Sequence, residues 1–353
     1  MKKFIPKFLK YPLITLYIFF RCLIRGSAPK ERPILNMAGV LPPEGSNEMI
    51  HGGKVKLIHL RERFGDTWRN FNIAYFVSSG LPFAPSIWIR LYKLFGIKVV
   101  WNQNGLAYPA LYPNKTVARV NNLMKPIHQS DFVIYQTEFT KKCADEFLGK
   151  FSGPSRILIN PVDTKIFKPR ETTLPQESLM ILMLGNHFES EERMTVSIEA
   201  LRILKAEGVN LKLIIIGHSE HKFSEDWIEQ HGAYLQKDAP TLFQSAHIFL
   251  HLKYLDPCPT AVLEALASGM PVIGSRSGGM PELVSDTSGI LIPIEESCEK
   301  LHYPSPQNVA SAVKTVRDNL DDFSREARIS AVERFDKEIW LQKHEEIFNK
   351  LLT

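Results

Sequence analysis

Residues 239–284 read APTLFQSAHIFLHLKYLDPCPTAVLEALASGMPVIGSRSGGMPELV, and this stretch decides the fold of the chain. The apolar run Ile248–Leu252 predicts a buried strand. A loop with two prolines follows it, a helix is predicted to begin at Thr260, and a second buried strand, Pro271–Gly274, comes next. A strand, a helix and another strand in this order are typical of a βαβ unit in a parallel sheet.

The same alternation extends outward over most of the chain. Helix-length amphipathic stretches, such as Val55–Phe64 and Met194–Glu207, lie between further short apolar runs. Those runs predict buried strands at Ile73–Val77, Lys98–Trp101, Phe132–Gln136, Arg156–Ile159, Met180–Leu184, Lys212–Ile216 and Gly289–Ile292. The pattern predicts an α/β protein built of doubly wound parallel sheets.

Length and composition agree with two globular domains. The chain has 353 residues, of which 44% are hydrophobic and 23% charged, and these values exclude a disordered, collagenous or coiled-coil protein. Its four cysteines are far apart, so spacing predicts neither a metal-binding pair nor a disulfide framework. No apolar stretch reaches the roughly 20 residues that a membrane-spanning helix needs.

A pause in the pattern near residues 160–178 predicts the domain boundary. Two prolines and a polar, turn-rich stretch are found there. We predict an N-terminal segment at 1–32, an N-terminal Rossmann-like domain at 33–170, a C-terminal domain of the same kind at 171–335, and a final helix at 336–353 that packs on one of the domains.

The positive charge of the chain is concentrated at its N-terminus. Residues 1–32 hold eight Lys or Arg and one Glu, whereas the remainder holds 35 basic and 37 acidic residues. This distribution argues against a nucleic-acid partner and favours peripheral binding to an anionic membrane surface, through a basic stripe on an apolar helix. Pro6 and Pro12 are expected to break that helix into pieces. A secretory signal peptide and a helix packed on the N-terminal domain are the alternatives.

The loop and helix start within residues 256–261 predict an anion site. Thr260 is a plausible N-cap, and the N-terminus of a helix presents backbone N–H groups that suit a pyrophosphate. Gly278 and Gly279 let backbone amides approach a ligand closely. The candidate donor-binding residues are therefore Pro257, Cys258, Thr260, Ala261, Gly278 and Gly279.

Two carboxylates border this site. Asp256 precedes the helix and Glu264 lies one turn inside it, so the pair can hydrogen-bond vicinal hydroxyls of a sugar and of a ribose. The alternative is that Asp256 only begins a turn and that Glu264 is a solvated helix residue.

The run LEALASGMPVIGSRSGGMPELV at 263–284 resembles the C-terminal half of the GT-B retaining glycosyltransferases of family 4, whose signature is two Glu residues separated by seven others. Further similarities are Asn160-Pro161-Val162-Asp163, Ile214-Ile215-Ile216-Gly217 and Arg334-Phe335. The resemblance covers most of residues 50–345. It implies two Rossmann-like domains that face each other across a cleft, a nucleotide-sugar bound by the C-terminal domain, and catalysis with retention and without a metal ion.

The chain departs from the family pattern at three positions. The first Glu is Asp256 here, Asn186 stands where the family has an Arg that neutralises phosphate, and Arg193 lies near the position of the family's Lys. The resemblance implies catalytic roles for Asp256, Glu264 and Arg193 and donor contact for Asn186. A solvated charge at a helix start is the alternative for Arg193.

Two loops of the N-terminal domain supply acceptor-side candidates. His51-Gly52-Gly53 precedes a predicted helix and looks like the family's glycine-rich loop, so Gly52 and Gly53 are predicted to lie under the donor phosphates and His51 near the acceptor. Asn102 and Asn104 directly follow a predicted strand, and their amides can orient hydroxyl groups but cannot act as a general base. Simple turns are the alternative for both loops.

We predict transfer of a hexosyl group from a nucleotide-sugar to a lipid-linked saccharide or a related acceptor, in cell-envelope polysaccharide or glycolipid synthesis. No cofactor and no metal are expected, since the nucleotide-sugar is a substrate. The expected location is the cytoplasmic face of the cell membrane. A nucleotide-sugar epimerase on the same fold and a non-catalytic nucleotide-sugar-binding relative remain as alternatives.

Overall fold

The computed structural model describes residues 7–27, 29, 31–38, 40–41, 55–171, 177–187, 191–218 and 223–353. The chain forms two compact units. The first comprises Met1–Ala107, Pro113–Leu158 and Trp340–Thr353, and the second comprises Tyr108–Tyr112 and Ile159–Ile339. The second unit thus begins before the boundary predicted after residue 170, because Val162 pairs with Asp336 and Phe167 lies in the core of the second unit.

The first unit is built on a five-stranded parallel sheet whose strand order follows the chain. Its strands are β1 (Leu35–Asn36), β2 (Ile73–Val77), β3 (Lys98–Gln103), β4 (Phe132–Tyr135) and β5 (Ser155–Ile157). Its helices are α1 (Lys7–Leu23), α2 (Val55–Phe64), α3 (Pro85–Leu94), α4 (Asn114–Met124) and α5 (Glu138–Leu148). All five residues of β2 are buried, as expected for a parallel strand that is covered on both faces.

The second unit holds a six-stranded parallel sheet. Its strands are β6 (Leu179–His187), β7 (Leu211–His218), β8 (Ile228–His231), β9 (Ile248–His251), β10 (Val272–Arg276) and β11 (Gly289–Pro293). Its helices are α6 (Glu191–Ala206), α7 (Ala239–Phe243), α8 (Thr260–Ala267), α9 (Met280–Leu283), α10 (Pro306–Asp318) and α11 (Leu320–Phe335). The last helix, α12 (Lys337–Leu352), contributes its residues from Trp340 onward to the first unit.

Strand order in the second sheet places a switch point at its centre. The order is β11-β10-β9-β6-β7-β8, so the chain runs outward from β6 on one side and returns to β9 on the other. Strands β6 and β9 are parallel neighbours, with Ile181 opposite Ile248 and Leu182 opposite Phe249. In open α/β sheets, the crevice at the carboxyl ends of such neighbouring strands is where ligands bind.

Two apolar clusters cover the faces of this sheet. Helices α6 and α10 pack on one face, where Leu201 and Val313 are buried, and α8 and α11 pack on the other, where Leu263 and Ala331 are buried. Burial of one such side chain contributes about 1.5–3 kcal/mol. The helix that carries Glu264 is therefore fixed in place by core packing.

Each of the predicted strands is found, with small shifts at the ends. The structure adds β1 and β8, which lie at sheet edges; β1 has only two residues, and the burial of β8 alternates between half-buried and exposed. Strand β3 continues through Gln103 because Asn102 and Gln103 pair with Ile134 and Tyr135 of β4. The sequence analysis predicted a loop directly after Trp101, but Asn102 and Gln103 belong to the sheet.

Residues Lys7–Leu23 form one helix, α1, which passes through Pro12, where the sequence analysis expected a break. The other expected break, at Pro6, lies outside the described residues. One face of the helix belongs to the first unit, with Ile18 and Cys22 fully buried. The Arg25 guanidinium donates hydrogen bonds to the carbonyls of Phe71 and Phe95, at 2.6 and 3.0 Å. The segment is therefore anchored to the first unit on this side, as the packed-helix alternative predicts.

Candidate functional site

The candidate site lies in the second unit at the carboxyl ends of β6 and β9. Asp256 lies in the loop that follows β9, and Arg193 lies in the first turn of α6, which follows β6 in the chain. Glu264 lies in α8, after the same loop. The topology therefore brings the predicted catalytic residues to one edge of one sheet.

The loop after β9 is held in a strained shape. Leu255 has a φ of +49°, which is unfavourable for a residue with a side chain. The Asn160 side-chain amide donates to the Cys258 carbonyl at 3.0 Å, and the Gly279 amide donates to the Asp256 carbonyl at 2.9 Å. These contacts fix the backbone at Asp256 and directly after it.

Gly278 is required by a close approach of two loops. Its φ is +63°, and a Cβ atom there would lie 2.6 Å from the Asp256 carbonyl oxygen, closer than real Cβ contacts come. A side chain at this position would push the Asp256 loop away.

The two glycine amides have partners within the chain. The Gly278 N–H donates to the Glu296 carboxylate at 2.7 Å, and the Gly279 N–H donates to the Asp256 carbonyl. The loop that carries Glu296 is itself held by Tyr254, whose hydroxyl accepts from the Ser297 N–H at 2.7 Å. Contact of these amides with a phosphate stays a prediction, and it would require them to exchange these partners for the ligand.

Asp256 is buried and ionised. Its carboxylate lies 3.1 Å from Nζ of Lys253 and 3.5 Å from Nε2 of His251. Burial alone would raise the pKa of Asp256, but the Lys253 ammonium and His251 together hold it below its ordinary range. The sequence analysis missed both partners, although each lies within five positions of Asp256 in the sequence.

His251 is a buried imidazole at the end of β9. Burial lowers its pKa, Asp256 opposes this shift, and the charges of Arg193 and Lys253 lower the pKa further. Its Nε2 lies 3.5 Å from the Asp256 carboxylate, and its Nδ1 makes no hydrogen bond within the part of the chain that the structure describes. A buried polar group in that state retains hydrogen-bonding capacity for a ligand.

Arg193 is 1% exposed, so the alternative of a solvated helix-start charge is wrong. Its guanidinium donates to the Leu184 carbonyl of β6 at 3.3 Å. The positive charge of Arg193 lowers the pKa of His251, so the two side chains are close enough to interact electrostatically. Asn186 lies in β6, and its side chain is outside the described part of the structure.

Helix α8 begins differently from the prediction. Pro259 is the N-cap and makes no side-chain cap, while Thr260 is the first helical residue and Ala261 the second. The extended conformation of Pro259 starts the helix without help from the Thr260 hydroxyl. The first turn still presents N–H groups that have no partner within the helix, at the positive end of its dipole.

Glu264 is buried with an exposed fraction of 8%, so the alternative of a solvated helix residue is wrong. Burial raises its pKa to about 8, against the effect of the Gln236 amide, which lies 3.4 Å from its carboxyl oxygen. In the protein without ligand, Glu264 is thus largely protonated at neutral pH. Bound hydroxyl donors would favour the ionised form.

The raised pKa of Glu264 predicts a pH-dependent stability. The folded state keeps the Glu264 proton up to about pH 8, whereas the unfolded chain releases it near the ordinary pKa of 4.5. The contribution of Glu264 to the free energy of unfolding therefore falls as the pH rises from about 4.5 to 8. The slope approaches roughly 1.4 kcal/mol per pH unit. Glu264→Gln should therefore flatten the decrease in the free energy of unfolding between about pH 5 and 8, as measured by urea titration at each pH. A wild-type slope in the variant would contradict the assignment.

The acceptor-side candidates Asn102 and Asn104 belong to a buried polar network of the first unit. Both are buried, and both side-chain oxygens accept from Nζ of Lys56, at 2.8 and 3.3 Å. Asn102 also donates to the Tyr75 hydroxyl, which lies 3.0 Å from Nε2 of His344. The two asparagines thus hold a buried lysine, and their contact with an acceptor stays a prediction. His51, Gly52 and Gly53 lie outside the described residues.

Within the described ranges, no group of three or more His, Cys, Asp or Glu side chains could hold a metal ion. Among the helices of those ranges, none has the length and hydropathy needed to cross a bilayer.

Comparison with known proteins matches the second unit to one family. Residues 164–330 match the family described as glycosyl transferases group 1. WcaL of Escherichia coli K12, named as a proposed colanic acid biosynthesis glycosyltransferase, is 28% identical over 189 residues, which are 47% of this chain and 46% of that protein. The amylovoran biosynthesis glycosyltransferase AmsK of Erwinia amylovora is 32% identical over 115 residues, 28% of each chain. The chain thus spans about half the length, or less, of these curated relatives.

Solved structures match over more of the chain. A sucrose-phosphate synthase from Thermosynechococcus elongatus matches 96% of this chain and 92% of its own, with a TM-score of 0.62 and 15% identity. HepE of Anabaena in complex with UDP matches 84% and 81%, with a TM-score of 0.62 and 16% identity. At such identities the similarity concerns the fold alone. The chain has the α/β fold with two parallel sheets of the GT-B glycosyltransferase structures.

Proposed function

We propose that this chain is a glycosyltransferase that moves a hexosyl group from a nucleotide-sugar to a saccharide acceptor. One observation carries the proposal. Asp256 and Glu264, two buried carboxyl groups in opposite protonation states, flank the first turn of α8 at the switch point of the second sheet. The same residues lie inside the segment that matches the group 1 glycosyltransferases.

Each group at this site has a proposed role. Glu264 accepts hydrogen bonds from the ribose hydroxyls, since a carboxylate can accept from both members of a diol. The first-turn amides of α8, at Thr260 and Ala261, receive the diphosphate together with the charge of Arg193. Asp256, held ionised by Lys253, accepts from a hydroxyl of the donor sugar.

The proposed reaction breaks the bond between the anomeric carbon of the sugar and the diphosphate oxygen. The acceptor hydroxyl oxygen forms the new bond to that carbon, and the diphosphate keeps the electron pair of the broken bond as additional negative charge. The hydroxyl proton passes to an oxygen of the departing diphosphate. Arg193 and the α8 amides stabilise this charge without a divalent metal ion, because they are positioned before the charge develops. Retention of the anomeric configuration is part of the proposal.

The proposed acceptor is a lipid-linked saccharide at the cytoplasmic face of the cell membrane. The names of WcaL and AmsK associate those glycosyltransferases with colanic acid and amylovoran biosynthesis, and this supports a saccharide acceptor here. HepE is solved with UDP and with UDP-glucose, which makes a uridine nucleotide the first donor to test.

A donor-binding screen and a product assay test the proposal. The full chain is heated with UDP-, GDP-, ADP- and dTDP-sugars, and a donor that binds only the folded state raises the melting temperature. The donor that binds is then incubated with lipid-linked saccharide acceptors, and products are identified by mass spectrometry. A glycosylated acceptor is the expected result.

Two outcomes would overturn the proposal. An epimerised nucleotide-sugar would identify an epimerase on the same fold. A donor that is bound but unchanged, with every acceptor offered, would identify a non-catalytic relative. Glu333→Gln is the control variant for carboxylate substitutions in this unit, since Glu333 lies on α11 and is exposed.

A further inference from the structure

Helix α1 presents an exposed apolar face on the first unit. The face consists of large aromatic and aliphatic side chains of α1 and of Ile24, which directly follows the helix. They are Tyr11, Leu13, Leu16, Tyr17, Phe19, Phe20, Leu23 and Ile24, whose exposed fractions range from 37% to 71%. A contiguous apolar surface of this size is uncommon on soluble proteins and marks an interaction site.

The two faces of α1 have different environments. Ile14, Ile18 and Cys22 follow the spacing of one helical face and pack into the core of the first unit. Leu16 and Phe20 project from the opposite side, since neighbouring residues of a helix are separated by about 100°. Packing within the unit therefore accounts for one face and leaves the apolar character of the other unexplained.

Neighbouring elements extend this surface. The Phe83 ring lies 5.1 Å from the Tyr11 ring and is 49% exposed. Phe19 lies 5.5 Å from the ring of Phe95, which directly follows Leu94, and Leu94 is 73% exposed. We define the apolar surface as the exposed side chains of α1 together with Phe83 and Leu94.

Arg21 of α1, and Arg25 just after the helix, do not belong to the outward basic stripe that the sequence analysis predicted. The Arg21 guanidinium lies 5.1 Å from the Trp68 ring centroid, and Arg25 binds backbone carbonyls of the first unit. Both arginines lie toward the protein because their angular positions coincide with the packed face of the helix. Contact with lipid would therefore be made by the apolar surface.

Positive charge borders this surface. Lys10 of α1 and Arg90 of α3 are exposed, and Arg90 lies one helical turn before Leu94. No acidic residue occurs in α1, and residues 1–32 carry a net charge of +7. An apolar surface with a basic border is complementary to a bilayer that contains anionic lipids.

We propose that the apolar surface docks the protein onto an anionic lipid bilayer, with α1 lying in the plane of the interface. A helix of 17 residues is about 25 Å long and presents its exposed side over that length. A second copy of the chain is a poorer occupant, because two segments of charge +7 repel each other. This proposal is independent of the proposed glycosyl transfer.

A vesicle flotation assay tests the proposal. The full chain is mixed with phosphatidylcholine vesicles, with and without phosphatidylglycerol, and the floating fraction is measured at low and high salt. Leu16→Glu/Phe20→Glu places two charges on the apolar surface, and the matched control Leu123→Glu/Ile166→Glu changes side chains of similar exposure elsewhere. Substitution is a sharper test than removal of the helix, since removal would also delete Ile18 and Cys22 from the core.

The wild-type chain and the control should float with anionic vesicles, and binding should weaken at high salt. The Leu16→Glu/Phe20→Glu variant should bind these vesicles at least about 100-fold more weakly and keep its melting temperature, because both side chains are exposed. Equal binding by this variant, or no flotation of the wild type, would overturn the proposal. Loss of a wild-type dimer in the same variant, without lipid binding, would identify a second copy as the occupant instead.

Discussion

Glu264→Gln is expected to lower the rate of glycosyl transfer by about 100-fold or more while the fold survives. The glutamine side chain has the same shape and retains the contact with Gln236, but its amide has one acceptor oxygen where the carboxylate has two. One hydroxyl of the ribose diol would lose its partner in a buried site, and such a loss is costly because the site excludes water. Initial rates and donor affinity of the purified variant measure the effect.

The stability of this variant separates a site defect from a folding defect. Burial raises the pKa of Glu264 to about 8, so ionising it in the folded protein costs free energy that glutamine does not cost. The melting temperature of Glu264→Gln at pH 8 should therefore equal or exceed that of the wild type. The exposed-residue control Glu333→Gln should change neither rate nor stability. Wild-type turnover by Glu264→Gln would remove Glu264 from the site.

The sheet cores were predictable because buried parallel strands are continuous apolar runs. Runs such as Ile73–Val77 and Lys212–Ile216 cannot be exposed to water without a large cost, so they identify their strands locally. The strands that were missed, β1 and β8, lie at sheet edges and carry little of this signal. A continuous apolar run thus predicts a buried strand, but a short or partly exposed strand at the edge of a sheet leaves no such run in the sequence.

The site was predictable only as far as neighbours in sequence decide it. Asp256 and Glu264 were identified because eight positions separate a loop residue from the second turn of the helix that follows it. The Glu296 carboxylate that binds the Gly278 amide comes from another loop, and the burial of Arg193 depends on β6 and β9 being neighbours. Contacts of this kind depend on which strands and loops are neighbours in the fold, and the spacing of residues in the sequence does not reveal this.

The structure shows what surrounds Asp256, the residue that replaces the family's first Glu. Gly278 brings backbone close to the Asp256 loop, and Lys253 and His251 both approach the Asp256 carboxylate. The shorter side chain is thus held by two basic groups close to it in sequence. Its ionised state and its position both depend on them, which makes Lys253 a positioning residue in the proposed mechanism.

Asp256→Asn is accordingly expected to lower the transfer rate by about 100-fold or more and also to lower stability by about 2 kcal/mol. The rate falls because the acceptor for the sugar hydroxyl loses its charge. Stability falls because the ion pair with Lys253 and the interaction with His251 are lost at a buried position. The expected loss in the free energy of unfolding is smaller than for a fully buried ion pair, because Lys253 is 40% exposed. Urea titration and initial-rate measurements give the two quantities separately.

A double variant distinguishes the two effects. In Asp256→Asn/Lys253→Met both charges are removed, so much of the lost stability should return, whereas the transfer rate should stay low because the carboxylate is still absent. Lys253→Met alone keeps the carboxylate and should reduce the rate less than Asp256→Asn does, with a pH profile displaced to higher pH because the pKa of Asp256 is no longer held down. If the double variant regains both stability and rate, Asp256 serves only to balance the Lys253 charge, and the contact with the donor sugar belongs to another residue.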